Sequence, residues 1–459
     1  MIKMAMVVRM MAMVLFMAAA ASAQPTKRDV DVRALDGTLL KATYFSPGKP
    51  GPGVILLPMC NSHRKAWENA GTMLAARGIH TITMDYRGFG DSGPKREADM
   101  TLAERQQARG NWADDIYEVL KHLAAQPGVN RNLMGAGGGS CGVENALQLA
   151  QRRLEVKTLV LLAGGASPNS QQYLAESAWL PVFAAAAHDD GNIVDTMKWL
   201  VGFSSHSASV LKEYPTGGHG TDMFAVHKDL EPAIATWFEQ HLIKSPVQTG
   251  TALGPGGSSA RFAERVRQPG GAAQVIEELK RARAEGRSYP LPPEAAINSL
   301  GQERVQSGNA KDAEMVYALT IEAYPKTYSG HFGLAQAKFA QRNYEGAAAS
   351  YTRAIEAGDP GFIVHNDLAS MQLYMGRTEE ALKGYQRALE IAIKAGQAGL
   401  GHFLVARGYA RMGEKDKAFE SLNQAIAAGY ANRGPFEGDQ HLASIRNDPR
   451  FQELRARLR

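Results

Sequence analysis

The stretch Gly138-Gly139-Ser140-Cys141-Gly142 restricts this chain more than any other, because it joins a strand-like run, Asn132 to Ala136, to a helix-like run from Val143. A serine flanked by glycines at such a junction, G-x-S-x-G, reads as a nucleophile elbow, a strained corner that larger neighbours would obstruct. Its hydroxyl then projects above the sheet edge, and the N–H that follows points at the same space. Ser140 is the candidate nucleophile.

The same letters admit other readings. Gly137, Gly139 and Gly142 satisfy G-x-G-x-x-G, the loop that cradles a dinucleotide pyrophosphate. That fold places the motif in its first strand–helix unit and an acid at the end of the next strand. Here two strand–helix units precede the motif, and the next strand, Thr158 to Ala163, runs into Gly164-Gly165 with no acid. A merely flexible glycine turn is the bland alternative. Cys141 as nucleophile would need glycine at position 143, where the chain has Val143.

The surroundings of the pentapeptide define a fold class. Asp29 to Phe45 alternates about Asp36-Gly37, the pattern of a hairpin. Gly53 to Leu57 is an unbroken apolar run, as expected of a strand buried on both faces. A helical stretch from Lys65 to Arg77 follows, then a strand from His80 to Asp85, a helix from Asn111 to Ala125 and the strand into the elbow. Strands alternating with helices predict an α/β fold with a mostly parallel sheet and helices on both faces. Between Asp85 and Ser92 the chain reads D-x-R-G-x-G-x-S, with Asp85, Arg87, Gly88, Gly90 and Ser92.

With that stretch upstream of the elbow, Asp29 to about Ile243 resembles the α/β-hydrolase superfamily, and within it the dienelactone-hydrolase-like branch. The resemblance implies a triad in the order nucleophile, acid, histidine, so the partners of Ser140 lie downstream. Val182 to Ala187 is a strand that exits into His188-Asp189-Asp190-Gly191. Asp190 is the favoured acid and Asp189 the fallback, with an ordinary acidic turn or helix N-cap as the alternative. His219 stands on the glycine-flanked loop Tyr214 to Asp222 and is the candidate general base. His63, His80, His122, His188, His206 and His227 lack that setting and are assigned surface or packing roles. The oxyanion donors implied are the N–H of Cys141 and that of Met59 or Cys60, after the third strand. Many family members carry His-Gly where this chain has Pro58-Met59. The only two cysteines fall on these two segments, so a Cys60–Cys141 disulfide is geometrically conceivable, against two separate buried thiols. Fewer than about 20 residues separate the strands ending at Ala163 and starting at Val182, which predicts an open site without a large cap.

The chain has 459 residues, too many for one ordinary core, and a formal charge of +5 spread along the sequence, which implies neither a nucleic-acid nor a membrane partner. Residues 1–23 read as a signal peptide: Lys3 and Arg9, an apolar stretch from Met10 to Ala20, then Ala21-Ser22-Ala23 as a cleavage site. The mature protein is expected in the periplasm or outside the cell, with no membrane span. The hydrolase-like domain is assigned to 24–245. Residues 246–290, rich in Gly, Pro and Ser at first, form a linker and one exposed connecting helix, Ala272 to Arg287.

Residues 291–459 are repetitive. Ala313, Ala347 and Ala381 recur at intervals of 34, as do Tyr317, Tyr351 and Tyr385, and Leu300, Leu334 and Leu368. With Gly301, Gly308 and Pro325, this resembles the tetratricopeptide (TPR) pattern of paired helices. A fourth copy is looser, with about three residues inserted around Gly396 to Gly401, and Phe436 to Leu458 is the terminal cap. The repeats imply an all-α domain whose concave face binds a peptide or protein.

Taken together, the motifs imply an exported serine hydrolase acting on a small-molecule ester, thioester or lactone, with no metal or organic cofactor. A serine peptidase uses the same triad, and a binding scaffold that keeps the fold without the chemistry is the opposed class.

Overall fold

Short aliphatic runs separated by helical stretches become one eight-stranded sheet in the computed structural model, which describes residues 24–248, 256–358 and 361–458. The leader expected at 1–23 lies outside the described residues. Contacts divide the chain into two units, Met1–Asp99 with Gln107–Gly257, and Met100–Gln106 with Ser258–Arg459.

The strands of the first unit are β1 (Thr26–Arg33), β2 (Leu39–Ser46), β3 (Gly51–Leu57), β4 (His80–Met84), β5 (Val129–Gly139), β6 (Val156–Leu162), β7 (Val182–Ala187) and β8 (Val210–Tyr214). Their order across the sheet is β1-β2-β4-β3-β5-β6-β7-β8. The hairpin β1–β2 is antiparallel and β2 meets β4 antiparallel; every other pair is parallel. The register brings Leu57 opposite Gly138, and Gly139 opposite Leu162, so β3, β5 and β6 end side by side. That shared carboxyl edge positions the site.

The helices of this part of the chain are α1 (Glu68–Ala76), α2 (Leu102–Gly110), α3 (Trp112–Ala124), α4 (Cys141–Arg152), α5 (Pro168–Glu176), α6 (Ile193–Val201), α7 (Met223–Val226) and α8 (Leu230–Glu239). In β3 successive residues face opposite layers, and Val54, Ile55, Leu56 and Leu57 are all fully buried. Val54 and Leu56 join one apolar cluster with Trp67, Leu74, Ile234 and Phe238 from α1, α8 and the turn before α1. An aromatic as buried as Phe238 is worth about 3–5 kcal/mol against alanine, so this cluster fixes the layer.

Among the elements not expected are β8 and α5. β8 is an edge strand with Val210 exposed, so it lacks the apolar run that marks the inner strands. The short α5 starts at Ser167, whose side chain accepts from the Ser170 N–H, with Pro168 in the first turn.

In the second unit α9 (Ser258–Arg267) and α10 (Gly271–Ala284) precede the repetitive part. Both correct the linker reading. The segment after Gly257 is helical, and the connecting helix is not exposed all round: Val275, Ile276, Leu279 and Ala282 are buried along one stripe. Four helix pairs follow: α11 (Glu294–Gln306) with α12 (Ala310–Ala323), α13 (Tyr328–Ala340) with α14 (Tyr344–Ala357), α15 (Phe362–Tyr374) with α16 (Thr378–Lys394), and α17 (Ala398–Met412) with α18 (Lys415–Ala427). Within each pair the helices pack together, and each pair packs on the next. Small residues on the first helices leave room for tyrosines of the second: a side chain on Gly301 or Gly333 would run into the Tyr317 ring. The insertion expected around Gly396 to Gly401 lies instead in α16, which has 17 residues where α12 and α14 have 14. α19 (Arg433–Gly438) and α20 (Pro449–Arg457) close the unit, burying Phe436, Phe451 and Leu454 against Phe403 and Phe419. No described helix is long and apolar enough to cross a membrane.

Candidate active site

Ser140 sits between the last residue of β5 and the first of α4 with φ 54° and ψ −121°, a conformation that costs a non-glycine residue on the order of 1–3 kcal/mol. The surroundings hold it there. Its N–H donates to the Leu162 carbonyl at 2.9 Å, and its carbonyl accepts from the Val143 N–H at 3.0 Å. A Cβ on Gly138 would collide with the Gly142 carbonyl, and one on Gly164 with the Ser140 carbonyl. The corner therefore closes only where these glycines leave space. The N–H of Cys141 is the first of α4 and has no intrahelical acceptor, so it is available to an anion.

The histidine loop runs beside this corner. A Cβ placed on Gly220, the residue after His219, would lie 3.6 Å from the Ser140 nitrogen, and one on Gly139 would lie 3.5 Å from the Thr221 methyl. His219 Nδ1 is 2.5 Å from Asp190 Oδ2. Asp189, the fallback acid, has a different task. Its two carboxylate oxygens accept the N–H groups of Gly217 and Gly218, each at 3.0 Å, and these bonds hold its carboxyl below the usual range. One aspartate thus meets the imidazole while its neighbour clamps the backbone that carries it. The clamp role was missed in the sequence; the only hint was two adjacent acids facing a Gly-Gly pair.

Met59 and Cys60 follow β3, whose end is anchored by the Trp67 indole N–H on the Leu57 carbonyl at 2.9 Å. The Met59 side chain packs between the two loops, its Cγ 3.3 Å from a Cβ position on Gly139 and 3.1 Å from one on Gly220. Cys60 and Cys141 are joined by a disulfide with their α-carbons 5.7 Å apart. The bridge ties the loop after β3 to the start of α4, the two segments whose amides were expected to face one oxygen.

The remaining histidines make other contacts. His80 is buried between the Tyr44 hydroxyl at 2.6 Å and the Lys49 carbonyl at 3.0 Å, and burial lowers its pKa. His227 stacks on Tyr214, ring centroids 3.9 Å apart, and bonds the Thr216 carbonyl at 2.5 Å, supporting the histidine loop from below. The D-x-R-G-x-G-x-S stretch forms a buried ionic knot. Asp85 is fully buried, bonds Arg64 and accepts the Asp91 N–H at 2.9 Å, while Arg87 bridges Asp115 and Asp36. It shapes the loop after β4 and carries no reacting group.

A strained serine, a carboxylate-bound imidazole on the adjoining loop and a helix N-terminus thus meet near one sheet edge. Residues 48–217 match the family model described as serine aminopeptidase, S33, which points to the α/β-hydrolase class of serine hydrolases. Among similar solved structures are a dienelactone hydrolase-like promiscuous phosphotriesterase from metagenomic libraries (18% identity, 48% of this chain and 99% of that one, TM-score 0.38). Others are a cold-adapted esterase from an Arctic intertidal metagenomic library (20%, 49% and 96%, 0.38) and a Pyrococcus furiosus esterase (15%, 47% and 91%, 0.38). No curated protein matches the chain. Likenesses this distant say nothing about substrate.

Proposed function

We propose that the chain is an exported serine hydrolase that cleaves a carboxylic ester, thioester or lactone, with a helical-repeat unit that binds a peptide or protein. Ser140 Oγ attacks the carbonyl carbon while His219 takes its proton, and the Asp190 carboxylate holds the imidazole in one tautomer and stabilises it once charged. The developing oxyanion is held by the N–H of Cys141 and that of Met59 or Cys60. Collapse expels the alcohol, which takes the proton back from His219, and leaves an acyl-Ser140. Water then attacks that ester with His219 as base, releasing the acid and restoring the hydroxyl.

The observation that carries this reading is the 2.5 Å contact of Asp190 with His219 on a loop packed against the strained Ser140. Labelling by a fluorophosphonate tests it. The wild-type chain should be labelled and Ser140→Ala should not, and absence of labelling in the wild type favours the scaffold reading. The matching family model is named for an aminopeptidase, so amide substrates belong beside short- and long-chain aryl esters in the same panel.

For the second unit, the 34-residue recurrence of Ala313, Ala347 and Ala381 on the second helices of pairs, with Tyr317, Tyr351 and Tyr385, supports the tetratricopeptide reading and a peptide partner along the first helices. Export follows from the leader-like composition of 1–23.

A further inference from the structure

The His219 imidazole can take the Ser140 proton only if its loop stands at the right distance from the elbow. Among the described residues no hydrogen bond joins residues 216–222 to residues 138–142. The Ser140 backbone is tied to Leu162 and Val143, on its own side of the site. The loop is tied to Asp189 through Gly217 and Gly218 and to Asp190 through His219. Each segment is thus fixed to its own supports, and the gap between them is left to packing.

One side chain fills that gap. Met59 is only 5% exposed and touches the elbow and the loop at once. A Cβ on Gly220 would come 2.5 Å from the Met59 Sδ, and the same position faces the Ser140 nitrogen. On the elbow side the Met59 Cγ meets Gly139, whose next neighbour is the Thr221 methyl. The methionine therefore lies where both flanking residues lack a side chain, the glycine before Ser140 and the glycine after His219. A flexible thioether suits so irregular a slot. Its base is firm, because the Met59 carbonyl accepts the Ser62 N–H at 3.1 Å and the next residue is bridged to Cys141.

We infer that the Met59 side chain is a positioning residue, a spacer that sets how closely the His219 imidazole approaches the Ser140 hydroxyl. The inference rests on the hydrolase reading for the reaction it serves. Proton transfer depends steeply on reach, and a displacement of about 1 Å costs on the order of a hundredfold in rate. The side chain is enclosed, so its volume acts on kcat and not on the binding of substrate.

Kinetics on one ester test it. Met59→Ala should lower kcat about a hundredfold with KM nearly unchanged, and Met59→Leu, which conserves volume, should keep most of the rate. Should Met59→Ala not fold, as read by tryptophan fluorescence in urea, the smaller truncation Met59→Val takes its place. A cycle with the neighbouring glycine makes the cause specific. Gly220→Ala alone drives a methyl into the Met59 Sδ, whereas in the Met59→Ala background that methyl has room. The double variant should therefore be about tenfold or more faster than Gly220→Ala. The strain of an alanine at φ 56° is common to both and cancels. Wild-type kcat in the truncated variant, an equal loss in Met59→Leu, or no recovery in the double variant would overturn the inference. If the wild type neither turns over an ester nor is labelled by the fluorophosphonate, the hydrolase reading has failed. The spacer is then decided by amide hydrogen exchange: faster exchange at Gly220 and Thr221 in Met59→Ala but not in Met59→Leu sustains it, and unchanged exchange ends it.

Discussion

At the scale of single residues the candidate site turns on two neighbouring aspartates with unlike roles. Asp190 meets the imidazole and Asp189 holds the loop, so their amide variants should differ in kind. Asp190→Asn is expected to lower kcat by about 10³–10⁴-fold with little change in KM, because the imidazole loses its orienting charge. Asp189→Asn should cost much less in kcat, since His219 keeps its carboxylate. Steady-state kinetics on one ester separates them, and equal losses would reverse the assignment. The clamp also has a pH signature. The amides of Gly217 and Gly218 hold the Asp189 carboxyl below the usual aspartate range, so its contribution is fully present above the unfolded pKa and disappears as pH falls through the lower folded one. The Gly217 and Gly218 amide shifts should therefore stay constant from about pH 6 to about pH 4 and move only below that. In Asp189→Asn they should show no such step.

At the scale of elements the bridge between Cys60 and Cys141 joins the loop after β3 to the first residue of α4 and closes a loop of sequence separation 81. Replacing both cysteines by serine is expected to lower stability by about 2–5 kcal/mol in chemical denaturation. If the two segments supply the oxyanion donors, kcat should fall more than KM rises, because their spacing matters most when the charge develops. Two reactive thiols in unreduced, denatured protein would contradict the bridge. What could be read from the letters here was local sterics. Glycines at 138 and 142 are demanded by backbone crowding, and that demand is visible without knowing the fold. Two cysteines on segments aimed at one point made a bridge conceivable, but the choice against separate thiols needed coordinates. The choice between Asp189 and Asp190 was equally hidden, because adjacent residues at a strand exit point in different directions and only the turn decides which one meets His219. β8 and α9 escaped for another reason: an exposed edge strand and a helix entered from a Gly- and Pro-rich stretch carry little of the periodicity that marks buried elements.

At the scale of the whole molecule two units with separate cores lie on one chain, and a single side chain can show whether they unfold separately. Asp367 on α15 is half-buried and accepts the Asn366 side-chain N–H at 3.2 Å, and desolvation pushes its pKa up to about 6 despite hydrogen bonds from Asn366 and Tyr351 and the charge of Arg407. The folded value exceeds the unfolded one, so the native state keeps a proton that the unfolded chain releases, and stability declines as pH rises from about 4 to about 6. Asp367→Asn removes the ionisable group and should stabilise the helical unit by about 2 kcal/mol at pH 7, with the gain shrinking towards pH 4. The chain itself supplies the means of assigning the change. All five tryptophans, Trp67, Trp112, Trp179, Trp199 and Trp237, belong to the first unit, so their fluorescence follows the sheet, whereas far-ultraviolet circular dichroism is dominated by the helices. In urea the dichroism midpoint of Asp367→Asn should rise at pH 7 while the fluorescence midpoint stays with the wild type. A gain of equal size at pH 4 would mean that a buried carboxylate is not the cause, and a matching shift in fluorescence would mean that the two cores unfold as one.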